Sequence, residues 1–282
     1  MAHLPHEQRS LNRSAALALL CALAAPGQAQ QRIVTVAPSL TESVCALGHC
    51  SQIVGTDRYS TGPGPVAQLP KVGGLADASI EHIVALRPDL VLLGPRTRLD
   101  DRLKQLGIAV QTFNVRTHAE QKAMLRALGR TLGESARAES LIAQVERELD
   151  AAAARLPAQL RGRSVYVEIG LGPKAASEAT FIGETLARLG LVNIVGAEQG
   201  FFPRVNPEFI VRRAPDLIIG PAALLANLHQ RPGWERLPAV RRQQVCALDP
   251  ERMALLERPG PRLGEAAQML VDCLRQLPGV PH

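Results

Sequence analysis

The chain has 282 residues and a mass of 30.3 kDa, with 46% hydrophobic and 21% charged residues. This is a globular composition with room for two compact domains, and it excludes a disordered or collagen-like chain. Aromatic residues are only 3% of the total, so the core is built from Ala, Leu, Val and Ile, and base-stacking nucleic-acid modules lack their platforms. The net charge is +6, but the arginines alternate with Glu and Asp along helical stretches, which describes a solvated helix surface and not a nucleic-acid patch.

At the amino terminus, Arg9 and Arg13 precede an apolar run over 15–25, and Gly27-Gln28-Ala29 has small residues where a leader is cleaved. Residues 1–29 are therefore expected to be a signal peptide, since about a dozen apolar residues fall short of the ~20 a membrane span needs. Lipidation at Cys21 is the less favoured alternative, because Leu20 occupies a position where such signals carry a small residue.

Residues 33–37 read as a strand, followed by Pro38-Ser39-Leu40-Thr41-Glu42, in which Ser39 and Glu42 have the spacing of a capping box. The helix begun there should stop at Gly48, and 53–55 form a second short strand. A helix over 80–86 ends before Pro88, and strands follow at 90–93 and 110–113. Helices over 119–132 and 135–156 are separated at Gly133, and the second carries Leu141, Ile142, Val145, Leu149 and Leu156 along one stripe. At ~33 Å it is a stiff connector as long as a small lobe is wide. After a strand over 165–169, Gly170-Leu171-Gly172-Pro173-Lys174-Ala175 resembles a phosphate loop. Pro173 and the small residues beyond it favour instead a flexible loop at the carboxyl edge of a strand.

Two echoes organise the chain. Glu81-His82-Ile83-Val84 and Pro88-Asp89-Leu90 recur as Glu208-Phe209-Ile210-Val211 and Pro215-Asp216-Leu217. Glu42, Leu47-Gly48 and Ile53-Val54-Gly55 recur as Glu184, Leu189-Gly190 and Ile194-Val195-Gly196. Two matches in the same order predict an α/β protein of two similar lobes, each around a mainly parallel sheet. The expected boundaries are 30–116 for the first lobe, 117–158 for the connecting helices and 159–282 for the second.

Beyond the signal remain Cys45, Cys50, Cys246 and Cys273, an even number that favours disulfides in an oxidising compartment. The turn at Gly48 brings Cys45 towards Cys50, and a Cys246–Cys273 bridge would close a loop worth ~3–4 kcal/mol in the chain-entropy model. The rival reading makes Cys45, His49 and Cys50 metal ligands. No nucleophile elbow, Walker loop or His-Glu-x-x-His motif occurs, so catalysis has no obvious carrier. Tyr59, Arg96, Phe201, Phe202, Arg204 and Arg258 fall at expected strand ends, where open α/β sheets take ligands. Trp234 reads as the staple of a helix start. Glu81 and Glu208 each open a helix, and their equivalent places also make them candidates for a two-part docking surface.

These features resemble the periplasmic solute-binding proteins of ABC importers for cobalamin, haem and ferric siderophores, over roughly residues 32–277. The most specific matches are Ser79-Ile80-Glu81 through Leu90-Val91, the opening Val36-Ala37-Pro38-Ser39-Leu40-Thr41-Glu42, and Arg258-Pro259-Gly260-Pro261-Arg262. The resemblance implies a ligand cleft between the lobes, a monomer working with an inner-membrane ABC permease, and no cofactor or catalysis. Within the family the chain is most similar to the cobalamin-binding branch. There Glu81 and Glu208 match the permease-docking carboxylates, Tyr59 and Phe202 match cleft aromatics, and Arg258 a cleft arginine. Two further aromatic positions of that cleft are Leu75 and Gly94 here. The tyrosine that ligates haem iron in other relatives falls near Gly74, and the helix near 186–189 lacks the cysteine of that branch's inter-helix disulfide. Two alternatives stay open: a ferric-siderophore binder using Arg96 and Arg204, and an exported metal-dependent enzyme using Cys45, His49 and Asp57.

Overall fold

The computed structural model describes Met1 and residues 31–62, 64–95 and 99–280, so the expected signal peptide, Cys21 and Arg96 lie outside the described residues. The first sheet contains β1 (Ile33–Val36), β2 (Ile53–Thr56), β3 (Leu90–Leu93) and β4 (Ala109–Thr112), all parallel, in the order β2-β1-β3-β4. Its helices are α1 (Pro38–Ala46), α2 (Ile80–Ala85) and α3 (Asp100–Gln105). Then come α4 (His118–Thr131) and α5 (Ser135–Arg155).

The second sheet contains β5 (Ser164–Gly170), β6 (Lys174–Ala175), β7 (Val192–Asn193), β8 (Leu217–Pro221) and β9 (Val245–Leu248). Parallel pairings run β7-β5-β8-β9, the same order as in the first lobe, and β6 adds an antiparallel strand to β5. The remaining helices are α6 (Phe181–Leu189), α7 (Pro207–Arg213), α8 (Ala222–Leu225), α9 (Pro238–Arg241), α10 (Pro250–Leu256) and α11 (Leu263–Arg275).

The period-two alternation of each strand is what sandwiches each sheet between helices. In β1 and β3, Ile33, Leu90 and Leu92 pack with Leu40, Leu125 and Leu128, whereas Val34, Val36, Val91 and Leu93 pack with Ile83 and Leu103. The second lobe repeats this: Val165, Val167, Leu217 and Ile219 face α6 and α11, while Tyr166 and Ile218 face Trp234. The α5 stripe serves both cores, with Ala138 and Ile142 in the first and Val145, Leu149 and Ala152 in the second.

The Pro-Asp echo has a local cause. Arg87 and Ala214 end α2 and α7 at φ of 46° and 44°, turning the chain before the proline. The aspartate then caps the neighbouring strand: Asp89 accepts the Arg32 amide at 2.8 Å, and Asp216 accepts the Ser164 amide at 3.1 Å and its hydroxyl at 2.8 Å. Gly48 and Gly190 stop their helices at φ of 95° and 88°.

Two expectations are corrected. Pro38 takes the first position of α1 after Ala37, so Ser39 lies inside the helix and forms no cap. A capping box forms instead at Thr117 and Glu120. The segment after β5 is a tight hairpin into β6 and not a flexible loop. Trp234 opens a short 3-10 turn and is a core residue, edge-on to Tyr166 with ring centroids 6.0 Å apart.

Candidate functional site

The carboxyl ends of β1, β3, β4 and β5 open on the seam between the lobes, where parallel α/β sheets take ligands. An inner cavity of about 380 Å³ lies there, walled by Ala37, Pro38, Leu75, Gly94, Phe113 and Val115 from one side and Ile169, Lys174, Phe181 and Phe202 from the other. Phe181 meets Phe202 edge-on at 6.5 Å. An outer cavity of about 1020 Å³ shares Pro38, Leu75, Glu257 and Arg258 with it, and adds Arg58, Tyr59, Arg252, Leu255, Arg262 and Met269. The inner part is thus apolar and aromatic, and the outer part charged.

A buried polar chain fixes the turn that presents Tyr59. Asp57, fully buried at the end of β2, accepts the Tyr59 amide at 2.8 Å and the Ser60 hydroxyl. Ser60 continues to Thr41 at 2.8 Å, and Thr41 to Thr35 at 2.6 Å. Burial pushes the Asp57 carboxyl above its ordinary value, against the hydrogen bonds of Ser60 and Tyr59 and the charge of Lys71. Tyr59 itself is half exposed at the mouth.

Arg258 does not stand free in the cleft. Its guanidinium bonds to the Glu42 carboxylate at 2.7 Å and to the Tyr59 carbonyl at 3.2 Å, bridging the lobes. Glu42, read as a helix cap, is 6% exposed and is the partner of that bridge, with Arg262 3.6 Å away. On the opposite side of the seam, Glu184 accepts the His118 amide, and His118 Nε2 lies 3.0 Å from the Phe181 carbonyl and 2.9 Å from Thr185. Gln121 closes the seam further through the Gly260 carbonyl at 3.1 Å.

Of the residues singled out from sequence, Tyr59, Leu75, Phe202 and Arg258 line the two cavities. Gly74 stands just behind the mouth: its amide donates to Asp77 at 2.8 Å, and an added Cβ would meet Asp77 Oδ1 at 2.6 Å and lie 3.4 Å from both Arg58 and Tyr59. At Gly94 a Cβ would lie 3.1 Å from the Ala37 Cβ and 3.3 Å from the Val36 carbonyl, so a side chain there requires the neighbouring strand to shift slightly. Phe201 sits beneath the Arg116 guanidinium, 4.2 Å from its ring centroid, outside both cavities. Sequence reasoning missed Phe113, Lys174 and Phe181 as wall residues; Phe113, at the end of an expected strand, carried the signal that would have found it.

Glu81 and Glu208 are exposed at the second position of their helices, each following a capping side chain, Ser79 or Asn206. The metal alternative loses its ligands: the sulfurs of Cys45 and Cys50 lie at bonding distance, 2.12 Å, His49 lies 3.5 Å from Glu134, and Asp57 is bonded internally. Cys246 and Cys273 are likewise at bonding distance, 2.02 Å. Among the described residues no three His, Cys, Asp or Glu side chains converge to hold a metal, and no helix is long and apolar enough to cross a membrane.

Two α/β lobes of one strand order, bridged by a shared helix, with a cavity at the strand ends between them, define the architecture of solute-binding proteins. The sequence profile described as "Periplasmic binding protein" matches residues 33–252, and the chain belongs to that family. Such proteins capture solutes and work with ABC permeases; they are not enzymes. The chain is 29% identical over 255 residues to the uncharacterized ABC transporter substrate-binding lipoprotein YvrC of Bacillus subtilis, covering 86% of this chain and 80% of that one. It superposes on the periplasmic vitamin B12 binding protein BtuF of Vibrio cholerae with a TM-score of 0.72 at 25% identity, covering 87% of this chain and 96% of that one. A periplasmic heme binding protein from Pseudomonas aeruginosa gives a TM-score of 0.74 at 27% identity, over 89% and 94%.

Proposed function

We propose that this protein captures cobalamin or a related corrinoid between its lobes outside the inner membrane and delivers it to an ABC permease. The observation that carries the reading is the two-part cavity: an apolar inner wall with Phe113, Phe181 and Phe202, opening into a charged mouth beneath Tyr59. Such a cleft suits a broad, flat ligand with a polar rim. The relatives that bind vitamin B12 support this ligand, and those that bind haem define its nearest competitor. Because α5 runs through both cores, ligand entry needs only a small opening of the lobes.

Absorbance and calorimetric titration of the protein from Gln30 onward with cyanocobalamin, hemin and a ferric hydroxamate tests the reading. Saturable single-site binding of cyanocobalamin is expected, weakened about tenfold by Tyr59→Ala or Phe202→Ala. Binding of the ferric hydroxamate alone would replace the ligand. Glu81 and Glu208 are the proposed docking carboxylates: Glu81→Arg and Glu208→Arg should abolish transport and leave ligand affinity unchanged. A parallel loss of binding would end that assignment.

A further inference from the structure

The arginines at the mouth of the cleft already have carboxylate partners within the chain. Arg58 donates to Asp77 at 2.6 Å, and Arg252 Nε lies 3.5 Å from Asp249. Arg258 is held between Glu42 and the Tyr59 carbonyl, and Arg262 grips Glu265 with two bonds of 2.7 Å. Glu251 and Glu257 bring two further carboxylates to the same walls. Among the described residues, Lys174 is the remaining lining cation, and its ammonium lies 5.9 Å from the Phe202 ring centroid.

We infer that the cleft selects against charge on the ligand rim: it takes a flat ligand edged with neutral amides in preference to the same ligand edged with carboxylates. This inference rests on the capture of a macrocycle proposed above and names the class of rim it recognises. The physical reason is local neutrality. A ligand carboxylate must either displace Asp77, Asp249, Glu42 or Glu265 from its guanidinium or sit beside it as a like charge. An amide meets neither obstacle, because ion pairs at a wet rim still offer N–H groups to its carbonyl and carboxylate oxygens to its N–H. The preference is thus set by the protein's own carboxylates and not by a shortage of arginine.

The test uses ligand pairs that differ only in rim charge: cyanocobalamin against its monocarboxylic acid, in which one propionamide has become a propionate, and hemin dimethyl ester against hemin. At low ionic strength each added carboxylate should weaken binding about fivefold, and the difference should shrink with salt. Asp77→Asn and Glu265→Gln, each exposed on the surface, remove the carboxylate beside Arg58 and the nearer of the two beside Arg262. Either should tighten binding of the acid forms about fivefold and leave the amide or ester forms within twofold. An acid form that binds as tightly as its neutral partner, or variants that do not change the acid forms, overturns the inference. If hemin binds better than its ester, macrocycle capture stands and the rim inference falls. If no member of either pair binds, the capture reading itself falls and takes the inference with it.

Discussion

The two lobes share a strand order and an echoed sequence, yet their equivalent glutamates have parted company. Glu42 and Glu184 each stand six residues before the glycine that ends their helix. Glu42 is 6% exposed and ion-paired across the seam with Arg258, whereas Glu184 has a 36% exposed side chain and accepts a backbone amide of the opposing helix. The features that fold a lobe by itself occur in both: the glycine stop, the left-handed residue before proline, the capping aspartate. The side chains that face the other lobe differ, because each contact has a different partner. The second lobe also has the β5–β6 hairpin, which carries Lys174 to the cavity wall.

The largest test of this asymmetry is Glu42→Gln. It leaves a largely buried guanidinium without its countercharge, and should lower unfolding free energy by about 3 kcal/mol. Glu184→Gln weakens a hydrogen bond at a wetter site and should cost about 1 kcal/mol. Denaturant titration of both variants measures the gap, and equal losses would mean the two contacts are equivalent after all. The aspartates come next. Asp216 accepts from the Ser164 amide and hydroxyl and from Arg163, while Asp89 caps with the Arg32 amide. Asp216→Ala should therefore cost about 2 kcal/mol and Asp89→Ala about 1 kcal/mol in the same assay.

One pH effect arises at His118, where α4 meets α6. Burial holds the His118 imidazole below its ordinary value of 6.5, although the Glu184 carboxylate, the Phe181 carbonyl and Glu146 pull it up and Arg188 adds to the lowering. The unfolded chain then binds a proton more readily than the folded one. Stability from this group is complete above pH 6.5 and is lost as pH falls from there through the depressed folded value. The melting temperature should fall between about pH 7.5 and about pH 5.5, and fall less in His118→Gln. An unchanged pH slope in the variant would assign the effect elsewhere. The smallest expected effects are gains: Arg87→Gly and Ala214→Gly remove side chains from left-handed backbone. Each should stabilise by about 0.5 kcal/mol, since the relief slightly exceeds the added freedom of the unfolded chain. A loss at one site and a gain at the other would show that the two turns carry different loads.

Much of this fold is legible from neighbouring residues. Alternating apolar runs mark the strands, Gly48 and Gly190 the helix ends, and the paired Pro-Asp motifs the two lobes, because each of these is decided within a few residues by backbone geometry and burial. The stripe on α5 likewise announced a helix long enough to serve two cores. Part of the cleft was legible too: Tyr59, Leu75 and Phe202 were singled out, and all three line it. Tertiary structure alone decided what Glu42 and Arg258 do. Glu42 has the spacing of a helix cap, and only the apposition of the lobes brings it to 2.7 Å from a guanidinium 216 residues away. It decided likewise that the mouth's arginines meet carboxylates before any ligand arrives. An ion pair across a seam depends on the relative placement of two separately folded sheets, and no local pattern encodes that placement.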